Sequence, residues 1–370
     1  MEIDGRGWLV AERCTPSEVT PYRARFEAVG RRIPSTTLST GDLMASTRHR
    51  THIDLERLTG IRERHVSVGD EDSLSLAVGA AEDCLAHSRY DASDLDVVIS
   101  CSITKYRDGL TQWLEPATST AVAEAIGAPD AISFDVSNAC AGMLTGVFIL
   151  NNWIRLGVVE RGMVVSGEYI SQLGENAAKH VRHILSRELA SLTLGDAGAA
   201  IILDRVGADA AGIDYVGFTT IADHSRLCLA YPAKHEPGAR MFTKARAIHE
   251  VATSAVVPLL QEALDAASVD IGDIDCVIPH QTSARAIRKG MAHVTEELGG
   301  APRHDAVVTV DRYGNTASTS HTVALIEELE AGRVGAGDRV ALIALASGLE
   351  IGIVLLTLDE EMVGRYGHDL

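Results

Sequence analysis

The sequence predicts an α/β fold made of two pseudo-symmetric halves, and three observations carry that prediction. Segment 82–100 (EDCLAHSRYDASDLDVVIS) resembles segment 261–279 (QEALDAASVDIGDIDCVIP) without a gap. Two further pairs follow in the same order: 131–147 against 306–325, where Asp135 matches Asp311, and 157–168 against 335–348. Finally, apolar strands alternate with amphipathic helices in both halves. Strands apolar on both faces need helices on each side, which favours mostly parallel sheets.

Each element follows from local signals taken along the chain. Residues 1–23 read as an N-terminal extension, 24–205 as the first half, 210–358 as the second half and 359–370 as a C-terminal tail, with a Gly/Ala/Asp-rich link between the halves. In each half the repeated unit is a helix end, a polar link, an Asp-x-Asp turn and a buried strand. That strand ends at Cys101 in the first half and at His280 in the second. The next strand leads in one half to the turn holding Cys140 and in the other to the turn holding Asn315. Segment 170–187 is longer and more polar than a tight connection needs and reads as a lid or pocket-lining insertion.

Composition narrows the function classes. Lys and Arg total 33 against 51 Asp and Glu, a net charge of −18, which disfavours nucleic acid and anionic membranes as general partners. The six cysteines (Cys14, Cys84, Cys101, Cys140, Cys228, Cys276) form no CxxC pair, so they read as reduced thiols rather than a disulfide framework or a metal site. No apolar run is long enough to span a bilayer, and the opening Met-Glu-Ile-Asp lacks a positive leader region. A soluble cytoplasmic protein without a metal or resident cofactor is expected.

The repeat places chemistry near its own twofold axis. Cys140 follows a strand and opens the helix AGMLTGVFIL, apolar on nearly every face. A buried thiol is the commoner role for a cysteine, but at a helix start the free N–H groups favour the thiolate, so a lowered pKa and a nucleophilic role are expected. His280 ends an apolar strand, so its imidazole should project from the strand end into a site. Kept neutral, it donates one N–H bond. Asn315, in Tyr-Gly-Asn-Thr, has the form of an ordinary glycine turn, but its equivalence to the Cys140 turn raises it. Two neutral donors there could hold a forming enolate.

The runs DVSNACAGM, GDAGAA, IPHQTSAR and DRYGNTAS resemble the motifs of the 3-oxoacyl-[acyl-carrier-protein] synthase III family of the thiolase superfamily, over roughly residues 24–358. The resemblance implies a five-layer αβαβα fold, a homodimer and a ping-pong reaction. Cys140 would take an acyl group from a CoA or phosphopantetheine thioester, delivered as acyl-CoA or on an acyl carrier protein, and a second substrate would attack it. It also implies an oxyanion hole from the backbone N–H groups of Cys140 and Ser347, where the family usually has glycine at the second position.

Departures from that pattern bear on substrate. Asp54 and Leu58 stand where the family's Trp and Arg clamp CoA, which speaks against the usual adenine stacking. Arg285, Arg288 and Lys289 follow His280 on a helix, either as a contact for CoA phosphates or an acidic carrier or as a solvated face. Glu115 stands where the family commonly has an apolar residue that lines the acyl pocket across the dimer interface. An acid there resembles the branch that joins two fatty acyl-CoA molecules without decarboxylation. An ordinary acyl thioester needs a base to remove its α-proton, and a carboxylate in an apolar channel, its pKa raised, would serve.

The reading favoured by these residues is a non-decarboxylating Claisen condensation with Glu115 as base. The alternatives are a decarboxylating synthase that uses malonyl carrier protein, acyl transfer to an alcohol or amine, and an inert partner subunit of a heterodimer.

Overall fold

The structure, a computed structural model, describes residues 21–367. The expectation of an N-terminal extension falls outside these residues except at its end, because the first strand already begins at Tyr22. In the first half the order is β1 (Tyr22–Arg32), α1 (Ser73–Ala86), β2 (Val97–Ser100), α2 (Thr118–Ile126), β3 (Ile132–Asp135), α3 (Gly142–Arg155), β4 (Arg161–Glu168), α4 (Ser171–His180) and β5 (Ala197–Gly207). The second half continues with β6 (Ile213–Thr220), a hairpin of β7 (Cys228–Pro232) and β8 (Ala239–Thr243), α5 (Ala245–Ala267), β9 (Cys276–Pro279), α6 (Ala284–Leu298), α7 (Ser320–Glu330), β10 (Arg339–Ala346) and β11 (Glu350–Thr357).

Two sheets organise these elements. The first runs β1-β5-β4-β2-β3 and the second β6-β11-β10-β9. Strand for strand the two orders correspond, with segment 306–309 lying where a partner of β3 would be. There Val307 N–H bonds to Val277 O at 2.9 Å beside β9. The expected mostly parallel character is not found. Only β2–β3, β2–β4 and β9–β10 are parallel, because β5 and β11 return beside β4 and β10 as antiparallel neighbours. A strand buried on both faces is apolar throughout whichever way it runs, so composition alone does not give direction.

Alternation along each strand builds the layers. Val97 and Ile99 of β2 face the central core, while Val98 faces α1 and α2. In β9, Cys276 and Ile278 face that same centre and Val277 faces α5 and α6. Helices α3 and α7 fill the space between the sheets, giving the five-layer αβαβα stack. On the outer face, α1 lies so close to its sheet that a side-chain carbon at Gly30, Gly167 or Gly198 would run into the backbone of Cys84, Ser73 or Leu76. Asp72 starts that helix by a capping box with Ser75, with bonds of 2.9 and 2.8 Å.

Of the C-terminal segment 359–370, the described residues 359–367 pack against the core. Met362 and Tyr366 are buried, and the Tyr366 hydroxyl accepts from Val29 N–H at 2.8 Å. No helix of the described residues is long and apolar enough to cross a membrane.

Candidate active site

The repeat is exact in hydrogen bonding where it matters for the site. Cys101 directly follows β2 and its N–H bonds to Val165 O at 2.8 Å; His280 directly follows β9 and its N–H bonds to Ile343 O at 2.8 Å. Likewise Asp91 with Asp94, and Asp270 with Asp273, form the same capping boxes ahead of the two strands. The second pair of turns also matches, with one refinement. Ala139 in the turn Ala139–Ala141 and Ala317 in the turn Ala317–Thr319 both take left-handed backbone angles, φ 44 and 50. Strained non-glycine residues of this kind concentrate at functional turns. Aligning them makes Ser318, not Asn315, the residue-level partner of Cys140.

These two turns pack against each other between the sheets. Cys140 is half-buried and touches the apolar group Ile170, Leu173, Leu194 and Ala317, with Ala239 and Met241 of β8 beside it. Burial around the sulfur pushes the thiol up, and the charges of Cys228 and Glu168 push the same way; only its own backbone N–H opposes them. The expected lowering by the helix start is therefore overturned. Desolvation acts on the whole thiolate charge, whereas a helix end supplies a fraction of a charge.

His280 is 2% exposed, and its Nδ1 lies 3.0 Å from Ser320 Oγ. Burial first, and then the neighbouring His321, push it down to about 3, so it is neutral. The His321 ring stacks at 5.8 Å, with its Nε2 3.0 Å from Ile343 O. A serine hydroxyl donating to Nδ1 leaves the proton on Nε2, where it can serve as a donor. Asn315 is tied to the first half: its N–H bonds to Thr193 O at 2.8 Å and its carbonyl accepts from Gly195 N–H at 3.1 Å. Its Oδ1 accepts from Ala317 N–H at 3.0 Å, which leaves the Nδ2 group as its free donor. Ser347 directly follows β10, the strand on which the Cys140 turn packs.

The outlying residues divide. Arg285 lines a cleft of about 600 Å³ together with Asp54, Leu58, His52, Arg57, Arg182 and His183. Arg288 is exposed on the same helix, and Lys289 acts electrostatically on His249 and Glu250 of α5 instead. Spaced i, i+3 and i+4, the three cationic residues lie exposed on one face of that helix. Segment 170–187 also divides: Ile170 and Leu173 line the Cys140 pocket, while Arg182 and His183 stand at the cleft. Glu115 is exposed and follows Leu114, which is 80% exposed, so within its own chain it lies in no apolar channel.

Sequence reasoning missed a buried polar set behind the turns: Glu168, Ser166, Ser318, Ser320 and His321. A signal for one of them was present, since Glu168 closes the otherwise apolar strand MVVSGE. It also missed hairpin β7–β8 as a wall of the pocket. Asn176 Nδ2 holds that hairpin by bonds of 2.9 and 3.0 Å to Pro237 O and Ala239 O.

Comparison with known proteins agrees with the fold. The family profile described as 3-Oxoacyl-[acyl-carrier-protein (ACP)] synthase III matches residues 134–223, and that of its C-terminal part matches 264–358. The chain is 30% identical over 331 residues to the beta-ketoacyl-[acyl-carrier-protein] synthase III of Desulfitobacterium hafniense, covering 83% of this chain and 92% of the relative. Among solved structures, the 3-oxoacyl-[acyl-carrier-protein] synthase III of Aquifex aeolicus superposes with a TM-score of 0.76 at 25% identity, covering 90% of this chain and 100% of that one. A variant of OleA from Xanthomonas campestris shares the fold with a TM-score of 0.78 at 22% identity, covering 92% and 100%. Two halves of one design, a thiol and an imidazole at their shared turns, and these matches lead to one conclusion: the chain belongs to the 3-oxoacyl-[acyl-carrier-protein] synthase III family and is a condensing acyltransferase.

Proposed function

We propose that the enzyme loads an acyl group onto Cys140 and joins it to a second acyl thioester by a Claisen condensation. The observation that carries this reading is the packing of the Cys140 turn against the turn that orients both Asn315 and His280. In the first step the Cys140 sulfur bonds to the thioester carbonyl carbon, and the oxyanion sits on the N–H groups of Cys140 and Ser347. The intermediate collapses with loss of the carrier thiol, which takes up the proton from Cys140. The second acyl thioester then loses an α-proton, and its enolate oxygen accepts from His280 Nε2–H and Asn315 Nδ2–H. Its α-carbon attacks the acyl-enzyme carbonyl, the C–S bond to Cys140 breaks, and the departing sulfur takes up the proton that the base removed from the α-carbon. A neutral His280 suits the donor role, since an imidazolium would be expensive in this buried site.

Glu115 is the base in this reading, supplied to the partner copy of a homodimer. Edge strand β3 exposes Ile132, and an open edge is a natural pairing surface for a second copy. Asp135, at the end of β3, accepts from Thr118 and Ser119 N–H at 3.1 and 2.9 Å, which anchors the Glu115 loop to that same edge. A second copy paired there would meet Leu114 and Glu115. Replacing Ile132 by Asp is expected to shift the protein from dimer to monomer in light scattering. The cleft lined by Arg57, Arg182 and Arg285 fits the phosphates of CoA or of a phosphopantetheine carrier, and it has no Trp, Tyr or Phe for adenine stacking.

A second reading, decarboxylative condensation with a malonyl carrier protein, is favoured by the names of the curated relatives. One assay separates the two: free thiol and β-keto product are followed with fatty acyl-CoA alone and then with malonyl thioester added, with Cys140→Ala as blank. Product from acyl-CoA alone, lost in Glu115→Ala, supports the non-decarboxylating reading. Product only after malonyl addition overturns it.

A further inference from the structure

Glu168 closes β4 with a side chain that solvent does not reach. Among the described residues it has no ion-pair partner and is held by neutral donors. Ser318 Oγ donates to Oε1 at 2.5 Å, Ser166 Oγ donates at 3.0 Å, and Ile103 N–H approaches both oxygens at 3.3 Å. The two serine hydroxyls are also 2.9 Å apart. Burial outweighs these bonds and pushes the carboxyl up to about 7.

What makes this position consequential is the turn that Ser318 belongs to. Its neighbour Ala317 donates to Asn315 Oδ1, and Ser320, two residues on, meets His280 Nδ1. One anchored turn therefore sets both neutral donors. The same carboxyl is close enough to act electrostatically on Cys140 and on Cys101. The charged group that acts on it, Asp196 just ahead of β5, pushes the same way as burial and so offsets nothing.

We propose that Glu168 is a positioning residue of the condensing site: through Ser318 it fixes the turn that orients Asn315 and His280, and its carboxylate charge biases Cys140 toward the uncharged, acylated form. A thiolate beside a buried carboxylate is repelled, whereas a thioester is not. The inference rests on Cys140 being the nucleophile.

The test uses the full-length enzyme and two variants that separate charge from position. Glu168→Gln keeps an acceptor for Ser318 and removes the charge; Glu168→Asp keeps the charge and withdraws it from Ser318. Alkylation of Cys140 by iodoacetamide is followed by peptide mass across pH 6 to 10, alongside condensation kinetics. In Glu168→Gln the alkylation profile is expected to move down by about one pH unit, a rate about tenfold higher at fixed pH. In Glu168→Asp that profile stays in place while kcat for condensation falls about tenfold or more with KM little changed. Ser318→Ala, which leaves the carboxyl intact, is expected to repeat that kcat loss and stands in if Glu168→Asp fails to fold. An unmoved alkylation profile in folded Glu168→Gln, or wild-type kcat in Glu168→Asp or Ser318→Ala, overturns the proposal. If Cys140→Ala is inactive in the same series, that failure concerns Glu168 alone; turnover surviving in Cys140→Ala overturns the site reading and this inference together.

Discussion

At the scale of single residues, the two buried histidines and the half-buried Cys140 thiol are governed by desolvation more than by neighbours. His280 pushed down to about 3 does not titrate in the working range. The pH–rate profile of condensation is therefore expected to show no inflection from His280 near its ordinary value of 6.5. His280→Ala and Asn315→Ala are each expected to cost about 10²–10³ in condensation while Cys140 still acylates, which mass spectrometry of the trapped acyl-enzyme checks. The places of Cys140, His280 and Asn315 at strand or helix ends were legible because each lies in a run of apolar and small residues that marks such an end. Ser318 was not. Asp135 precedes the strained Ala139 by four positions and Asp311 precedes Ala317 by six, and that two-residue difference hides the match in the sequence. Glu168 was legible only as a charged residue ending an apolar strand, which by itself does not distinguish a buried carboxyl from a solvated one.

At the scale of elements, close packing of backbone on backbone decides what can change. Gly167 lies in β4 one residue before Glu168, against the carbonyl of Ser73 and the N–H of Ala77 in α1. Gly167→Ala has no flexible side chain to displace, so the helix must lift off the sheet. A loss of roughly 3 kcal/mol or more is expected in denaturant unfolding, beyond the usual cost of overpacking. The strands themselves were readable from their apolar runs, and the helices from their period. Strand direction was not, because it depends on where β5 and β11 return and not on which residues they carry. The hairpin β7–β8 escaped notice for a different reason: exposed Leu229 and Tyr231 give it no buried face to read, and its place over the pocket is set by polar bonds from α4.

For the whole molecule, the sum of shifted groups sets how stability follows pH. His280 at about 3 and His321 at about 4 lie below their ordinary 6.5, so the unfolded chain binds protons that the fold refuses. Their contribution is complete above about 6.5 and is lost as pH falls toward 4 and 3. Glu168, raised from 4.5 to about 7, acts in the opposite sense: its contribution is present below about 4.5 and is lost as pH rises through 7. Between pH 5 and 6.5 two histidines outweigh one carboxyl. The melting temperature is expected to drop on going from pH 7 to pH 5, less steeply in His321→Leu and more steeply in Glu168→Gln.

The internal duplication was the feature most fully written in the sequence, and it has a practical consequence. The thiol belongs to one half and the imidazole and amide to the other, and the chain passes between them through residues 208–212, exposed at 208 and 209, that separate β5 from β6. Contact between the halves does not depend on that passage: Arg23 of β1 hydrogen-bonds Ile213 O at 3.2 Å, and Arg31 pairs with Glu327 and Glu330 of α7 at 2.8 and 2.7 Å. A gene cut at this stretch and expressed as two polypeptides should yield fragments that find each other and regain turnover. Neither fragment would work by itself, so restored activity would serve as a direct reporter of their reassembly.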